Sequence, residues 1–495
     1  MRSPSASRTL SASIEQQLPK GQEKALKIVR GLIWTYLILL LIEGALRKWV
    51  VPQYSDPILI IRDPVLLAIY FFAIKARIFP TNGWIIALGI IGGLSLAVGI
   101  LVLYPYIPFK FILLVTIYGF RSNFLHLPLI FVIASVFDHK SVKKVGWWTL
   151  LLMIPMALLM VAQFKGSPDA FINRAVGTAE AQQLTTAGGK IRPAGTFSFI
   201  SGPIFFASAA AAFAIYGALR RGLYNRWLLV TSSVCLLVSI LVSGSRGYVV
   251  AVLIVVMSIL VILVIRPQVV NKFAGTLLII VVATVLVTRL PIFKEGVGVL
   301  SERFTASAEA SETSVVGGMI ERVLGEFTEA LGNLDKFPLS GYGLGLGTAG
   351  GARLLVGRGT FLLSENEWTR ILLESGPILG LAFLAWRTAF TFRLLWLSVT
   401  ALKRNLVLPI LLFSSGFVGL LSGQLGQPTT LGFAVVLCGL CLAATRGEEG
   451  ETAAAAPITQ QPVVKPLPRR SVHASRLYGP GSSPERDHAN GSVDR

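Results

Sequence analysis

Read for hydrophobicity alone, the chain alternates long apolar stretches with short polar ones from about residue 28 to residue 446. The stretches are continuously apolar, which excludes the alternating pattern of a transmembrane β-barrel. Each approaches the roughly 20 residues that a helix needs to cross a hydrocarbon layer about 30 Å thick. Twelve runs qualify: 28–46, 57–76, 83–104, 109–137, 145–164, 199–219, 227–243, 247–265, 273–291, 371–398, 405–423 and 429–446. The fourth is interrupted by Arg121 and Asn123. The pattern predicts an all-α polytopic membrane protein of about twelve transmembrane helices, with one domain over residues 28–446.

Polar segments flank this domain. Residues 1–27 have neither an apolar core nor a small-residue cleavage site, so they read as a disordered cytosolic tail rather than a signal peptide. Residues 447–495, rich in Ala, Pro, Arg and Ser, read as a second disordered cytosolic tail.

The chain is 53% hydrophobic and 14% charged, yet its formal net charge is +20. Placement explains the excess. Lys75/Arg77, Lys140/Lys143/Lys144, Arg220/Arg221/Arg226, Arg266/Lys272 and Lys403/Arg404 fall in alternate loops. The positive-inside rule then puts both termini in the cytosol, and the charge signals topology rather than a nucleic-acid surface. Arg47/Lys48 and Lys110 are outward exceptions.

Two sizeable outward segments follow, 165–198 and 292–370, the larger between the ninth and tenth helices. In the larger, Ile320, Val323, Leu324, Phe327 and Leu331 recur at helical spacing, with Glu321, Glu326 and Glu329 opposite. That pattern predicts an amphipathic helix at the membrane surface or against the bundle. Cys235, Cys438 and Cys441 lie in apolar runs, where they read as small packing residues without disulfide, redox or metal roles.

Polar groups at the mouth of a membrane bundle are functional candidates because they are expensive to place there. SGSRG at 243–247 carries Arg246, either an arginine reaching the interface or one aimed into an outward cavity to grip phosphate. Arg322, beside Glu321, is either a local ion pair or a second phosphate ligand. KFPLSGYGLGLGTAGG at 336–351 lacks the preceding strand of a Rossmann loop. Its Gly341, Gly343 and Gly345 therefore either bring backbone N–H groups to a phosphate or make a flexible turn. RPAGTFSFISG at 192–202 adds Arg192 to the same face.

LSENEWTRILLESG at 363–376 concentrates charge at the start of the tenth helix. Ser364 and Glu367 have the spacing of a capping box. Glu367, Arg370 and Glu374 share one helical face and are expected to pair. Glu365 and Asn366 are left facing the outer mouth.

Together RPAGTFSF, SGSRGYVVAVLIVV, FPLSGYGLGLG and ENEWTRILLESGPILGL, in that order between about residues 190 and 390, resemble the O-antigen ligase and O-antigen polymerase superfamily. Asn366, Trp368, Glu374, Gly376 and Gly380 match the last element of its pattern. The resemblance implies a glycosyltransferase of the bacterial inner membrane that builds surface polysaccharide. Its donor would be a glycan on undecaprenyl pyrophosphate, and its acceptor a sugar hydroxyl on another glycan or on lipid A core. It implies no cofactor, no nucleotide sugar and, for the ligase branch, no metal. Membrane lipids and polysaccharide assembly or export proteins are the implied partners. In such enzymes outward arginines hold the pyrophosphate, and Arg246 then Arg322 match that role. Asn366, Arg192, Arg370 and the three loop glycines become substrate-binding candidates.

The chain departs from the family where a histidine is expected, since that position is Glu365. Glu365 is then the candidate base, or it only binds sugar hydroxyls. Polymerase and divergent ligase both stay open. A lipid-linked oligosaccharide flippase and a non-catalytic export partner are the alternative readings. The amino-terminal EGALRKW and IIRDPVLLAIY suggest no chemistry at this stage.

Overall fold

The computed structural model describes residues 20–176, 191–220, 222–267, 325–357, 359 and 361–447. The principal helices are α1 (Lys20–Ala45), α2 (Arg62–Lys75), α3 (Gly83–Leu103), α4 (Phe109–Phe120), α5 (Leu129–Val136), α6 (His139–Lys165), α7 (Ser201–Leu219), α8 (Arg226–Val242), α9 (Arg246–Ile265), α10 (Ala349–Val356), α11 (Glu367–Lys403), α12 (Leu408–Leu421) and α13 (Pro428–Ala444). No strand element occurs among the described residues.

Eight helical stretches there are long and apolar enough to cross a membrane: Gly21–Val50, Pro52–Lys75, Gly83–Leu103, Phe109–Val136, His139–Lys165, Ser201–Leu219, Arg246–Ile265 and Glu367–Lys403. Arg226–Val242, Leu408–Leu421 and Pro428–Ala444 are apolar but shorter. The expected run at 273–291, the tail after 447 and most of the first 27 residues lie outside the described residues. Helix α1 starts at Lys20, ahead of the expected boundary, and an exposed Glu23–Lys27 pair at 2.6 Å supports its polar first turns.

Helix α13 forms the centre of the bundle. It is buried along nearly its whole length and packs on α12, α5 and α7. Its small residues permit that approach, since Gly439 lies against Ile133 and Gly432 against Arg62 and Leu40. Cys438 and Cys441 are buried free thiols, and Cys441 Sγ lies 3.4 Å from Ser398 Oγ and from the Pro409 carbonyl.

Two wide π-helical turns, Leu46–Val50 and Arg121–Leu125, interrupt otherwise apolar helices. Both carry buried polar side chains inward: Arg47 and Lys48 in the first, Arg121, Ser122 and Asn123 in the second. Such turns recur at functional sites.

Helix α11 is broken at Gly376, whose φ of 73° lies in the left-handed region, and Pro377 follows. Proline has no N–H, so the Leu373 carbonyl one turn earlier lacks its helical donor. The 341–343 loop fills the gap. Tyr342 N–H donates to Leu373 O at 2.7 Å, and Gly343 N–H to Glu374 O at 3.1 Å. This docking sinks the glycine-rich loop between α3, α4 and the start of α11.

Candidate functional site

The first turns of α11 place Glu367, Arg370 and Glu374 on one inward face, each at most 3% exposed. Arg370 donates through Nε to Glu367 Oε2 at 2.9 Å and through Nη2 to Glu367 Oε1 at 3.0 Å. Its Nη2 also reaches Asn123 Oδ1 at 2.9 Å, and Nη1 lies 2.8 Å from Glu374 Oε2. Arg387, fully buried, adds Nη1 to Glu367 Oε1 at 2.9 Å and binds the Leu420 and Gly423 carbonyls. Glu374 accepts from Gly347 N–H at 2.9 Å and from Asn123 Nδ2 at 3.3 Å. Two carboxylates and two guanidiniums thus balance, with the hydrogen bonds that a buried ionic group requires.

The expected pairing of Arg370 with Glu374 is present, but the capping box is not. The helix begins at Glu367, with Asn366 as its cap residue. Ser364 Oγ accepts from Asn366 N–H instead. Two buried guanidiniums and the Leu425 N–H, at 3.1 Å, draw the Glu367 carboxylate inward. The helix start is satisfied from elsewhere: Glu326 Oε1 accepts from Glu367 N–H at 2.9 Å.

Glu326 belongs to a helical stretch over 325–332 of the outer loop. It covers part of the expected amphipathic helix, whose residues 320–324 lie outside the described residues, and Phe327 packs on the bundle. Glu326 is half-buried toward α11, Glu329 is exposed but accepts from Asn366 Nδ2 at 2.6 Å, and Leu331 is exposed. Anionic side chains gain by meeting a helix N-terminus. Phe327 packs edge-on against Trp368 with ring centroids 4.4 Å apart, and Ala330 is fully buried. Burial pushes the Glu326 carboxyl above its ordinary range; the Glu367 N–H opposes this, and the Glu367 charge adds to it.

Beside this network opens a cleft with about 270 Å³ of empty volume. Thr348 comes from the glycine-rich loop, Phe361 and Glu365 from the approach to α11, Arg370 from its first turn, and Gln424 and Gln427 from the α12–α13 connection. Glu365 is exposed at the rim, and its backbone carbonyl accepts from Gln424 Nε2 at 2.7 Å. Asn366 is half-buried and committed to Glu329. Arg370 lines the cleft, but its guanidinium is held by Glu367, Glu374 and Asn123.

The other expected residues fall around this centre. Arg246 opens α9, where the adjacent Gly247 meets Ile204 of α7. Three residues earlier, Ser201 Oγ donates to Gln427 Oε1 at 3.2 Å, so the SGSRG turn neighbours the cleft wall without lining it. Arg192 is half-buried at the head of the 195–198 segment. Arg322 lies outside the described residues. Gly341, Gly343 and Gly345 have φ of 70°, 118° and 94°, and each approaches a neighbouring helix too closely for a side chain. The N–H of Gly341 is taken by Pro338 O and that of Gly343 by Glu374 O, so these two do not serve as free phosphate donors.

The sequence reading missed a second buried network, built from the amino-terminal stretches that suggested no chemistry. Arg62, fully buried, donates to Glu43 Oε2 at 3.0 Å, Tyr36 OH at 3.2 Å and Pro428 O at 2.5 Å. His126 bridges Tyr36 OH at 2.9 Å and Asp63 Oδ1 at 3.0 Å, while Arg121 pairs with the other Asp63 oxygen. Lys48 Nζ donates to Gly195 O at 2.6 Å and Arg47 Nη1 to Ser198 Oγ at 3.2 Å. EGALRKW therefore holds RPAGTFSF in place, with Gly44 admitting the 196–198 backbone. The available signal was charge inside apolar runs, which marks Asp63, Arg121 and Arg387 alike.

No family model matches the chain, and no characterised protein matches it in sequence.

Proposed function

We propose that the chain is a multi-pass glycosyltransferase of the bacterial inner membrane. It transfers a glycan from undecaprenyl pyrophosphate to a sugar hydroxyl, as a polysaccharide polymerase or a divergent O-antigen ligase. In this reading the eleven described apolar helices and the run at 273–291 make twelve crossings, and both termini are cytosolic.

One observation carries the proposal. RPAGTFSFISG, FPLSGYGLGLGTAGG and ENEWTR, far apart in sequence, contribute to or flank one recessed cleft with an exposed carboxylate at its rim. In the reaction, the acceptor oxygen bonds to the anomeric carbon of the donor glycan. The bond from that carbon to the diphosphate oxygen breaks, and the diphosphate leaves with its electron pair. Glu365 takes the hydroxyl proton, the work of a general base within reach of its substrate. The Glu367–Arg370–Glu374–Arg387 network holds the first turns of α11, and so Glu365, against the cleft.

The test is deletion of the protein followed by extraction of lipid-linked glycans. Single repeats accumulating on the carrier indicate a polymerase, and long chains a ligase. An unchanged pool refutes both.

A further inference from the structure

We infer that the cleft takes a neutral, hydroxyl-bearing sugar ring, the acceptor end of the reaction, and turns away the lipid-linked diphosphate, with Gln424 and Gln427 as its selecting residues. This rests on the glycosyltransferase reading for the word acceptor, but not for the chemistry of the ligand.

The charge inventory comes first. Of the described ionic side chains lining the cleft, Glu365 and Glu367 are acidic and Arg370 is basic. Arg370 is already bound by Glu367, Glu374 and Asn123. Adding Glu374 and Arg387 behind the wall leaves three carboxylates against two guanidiniums, a net of one negative charge. A diphosphate needs arginine forks with donors to spare; here it would face like charge in a recess, which is unfavourable.

The remaining lining groups suit a polyol. Gln427 Nε2 donates to Gln424 Oε1, and Gln424 Nε2 to the Glu365 carbonyl, so the two amides run as a chain from Ser201 to the rim. An amide nitrogen carries two hydrogens, and each of these bonds uses one. One donor per glutamine is left to meet a hydroxyl beside the Glu365 carboxylate. Phe361, 41% exposed, offers an apolar face to the C–H side of a ring.

The test uses the full chain in nanodiscs and saturation-transfer NMR. The probes are neutral methyl hexosides, the matching hexose 1-phosphates and inorganic pyrophosphate. At least one neutral hexoside is expected to receive saturation, its 1-phosphate counterpart at least fivefold less, and pyrophosphate should not displace it. Gln424→Leu is expected to weaken the neutral signal at least fivefold with helix content and Tm unchanged. Gln427→Leu serves as a second variant, since Gln427 also meets Ser201 and Thr430 at the start of α13. Equal or stronger phosphate binding, displacement by pyrophosphate, absence of any hexoside signal, or variants that bind like wild type would each overturn the inference. The two readings fail separately. An unchanged lipid-linked pool on deletion removes the transferase reading while hexoside binding stands, and an accumulating pool without hexoside binding removes only this one.

Discussion

The N–H of Tyr342 donates to the carbonyl of Leu373 at 2.7 Å, the group that Pro377 leaves without a helical partner. One loop thereby repairs the break in α11 and is fixed by it. Gly376 makes the arrangement possible, because its φ of 73° is unfavourable for other residues and a Cβ there would overlap Leu339 O. Gly376→Ala is expected to destabilise the fold by roughly 1–3 kcal/mol and to speed tryptic cleavage at exposed Lys336. Unfolding in detergent and the cleavage rate check this; wild-type values for both would mean that the loop is held by something else.

Glu367 and Glu365 are two residues apart and should fail in different ways. Glu367 is 1% exposed and pairs with both Arg370 and Arg387, so Glu367→Ala leaves Glu374 alone against two buried cations. Removing one partner of a buried pair typically costs ~3–5 kcal/mol, and the expected result is loss of folded protein from the membrane. Arg370→Lys should also fail, since one ammonium cannot reproduce the forked contacts to Glu367 and Asn123. Glu365→Gln, at an exposed site, should accumulate as wild type. Quantitative membrane blots distinguish the two, and equal abundance of Glu367→Ala and wild type would refute the structural role.

The outer helix over 325–332 should respond to pH through Glu326. Its raised carboxyl value means that the docked state binds the proton more tightly than the undocked state. The stabilisation is therefore full below the ordinary carboxylate range and is lost as pH rises through the raised value. Hydrogen exchange of residues 325–332 should quicken across that window, and Glu326→Gln, which mimics the protonated form, should remove the dependence. Exchange that slows with rising pH, after correction for intrinsic rates, would reverse the assignment.

Continuous apolar runs located the long apolar helices among the described residues, though not α10 or the 325–332 helix of the outer loop, because a backbone in hydrocarbon must satisfy its own hydrogen bonds. Pairing was less legible. An S-x-x-E spacing is identical whether the glutamate caps its own helix or turns inward, and Arg387, twenty residues on, decided for Glu367. Asn123 and Glu374 meet across 251 positions, so neither local pattern announces the other. The glycine-rich loop carried a correct signal of close approach, but what it approaches is helix α4 and the break in α11. His126, Asp63 and Arg62 were visible only as polar interruptions of apolar stretches.

That second network gives a double-mutant test. Arg62 and Glu43 are 0% and 3% exposed by side chain and 3.0 Å apart. Glu43→Leu should destabilise by ~3–5 kcal/mol by leaving Arg62 buried without its carboxylate, and Arg62→Met by less, since Arg47 Nη1 still lies 3.7 Å from Glu43 Oε1. The double variant should recover much of that loss, with a coupling on the order of 2 kcal/mol. Costs that simply add would show that Tyr36 and the Pro428 carbonyl, not Glu43, hold Arg62.

Glu365 offers the sharpest discrimination between proton transfer and sugar holding. A glutamine still bonds hydroxyls but accepts no proton at neutral pH, whereas a histidine, the residue that the resembled family carries there, accepts one. If Glu365 is the base, Glu365→Gln should lower transfer by roughly 10²–10⁴-fold with the protein still in the membrane, and Glu365→His should restore part of it. The pH–rate profile of Glu365→His should then move toward the imidazole range. Arg246→Ala, beside the cleft but outside its lining, should also abolish surface polymer if it holds the leaving diphosphate, and the loss should persist in the Glu365→His background. Polymer length and amount on whole cells, with lipid-linked donor measured in parallel, provide the assay. Wild-type polymer from Glu365→Gln would leave Glu365 as a sugar contact only.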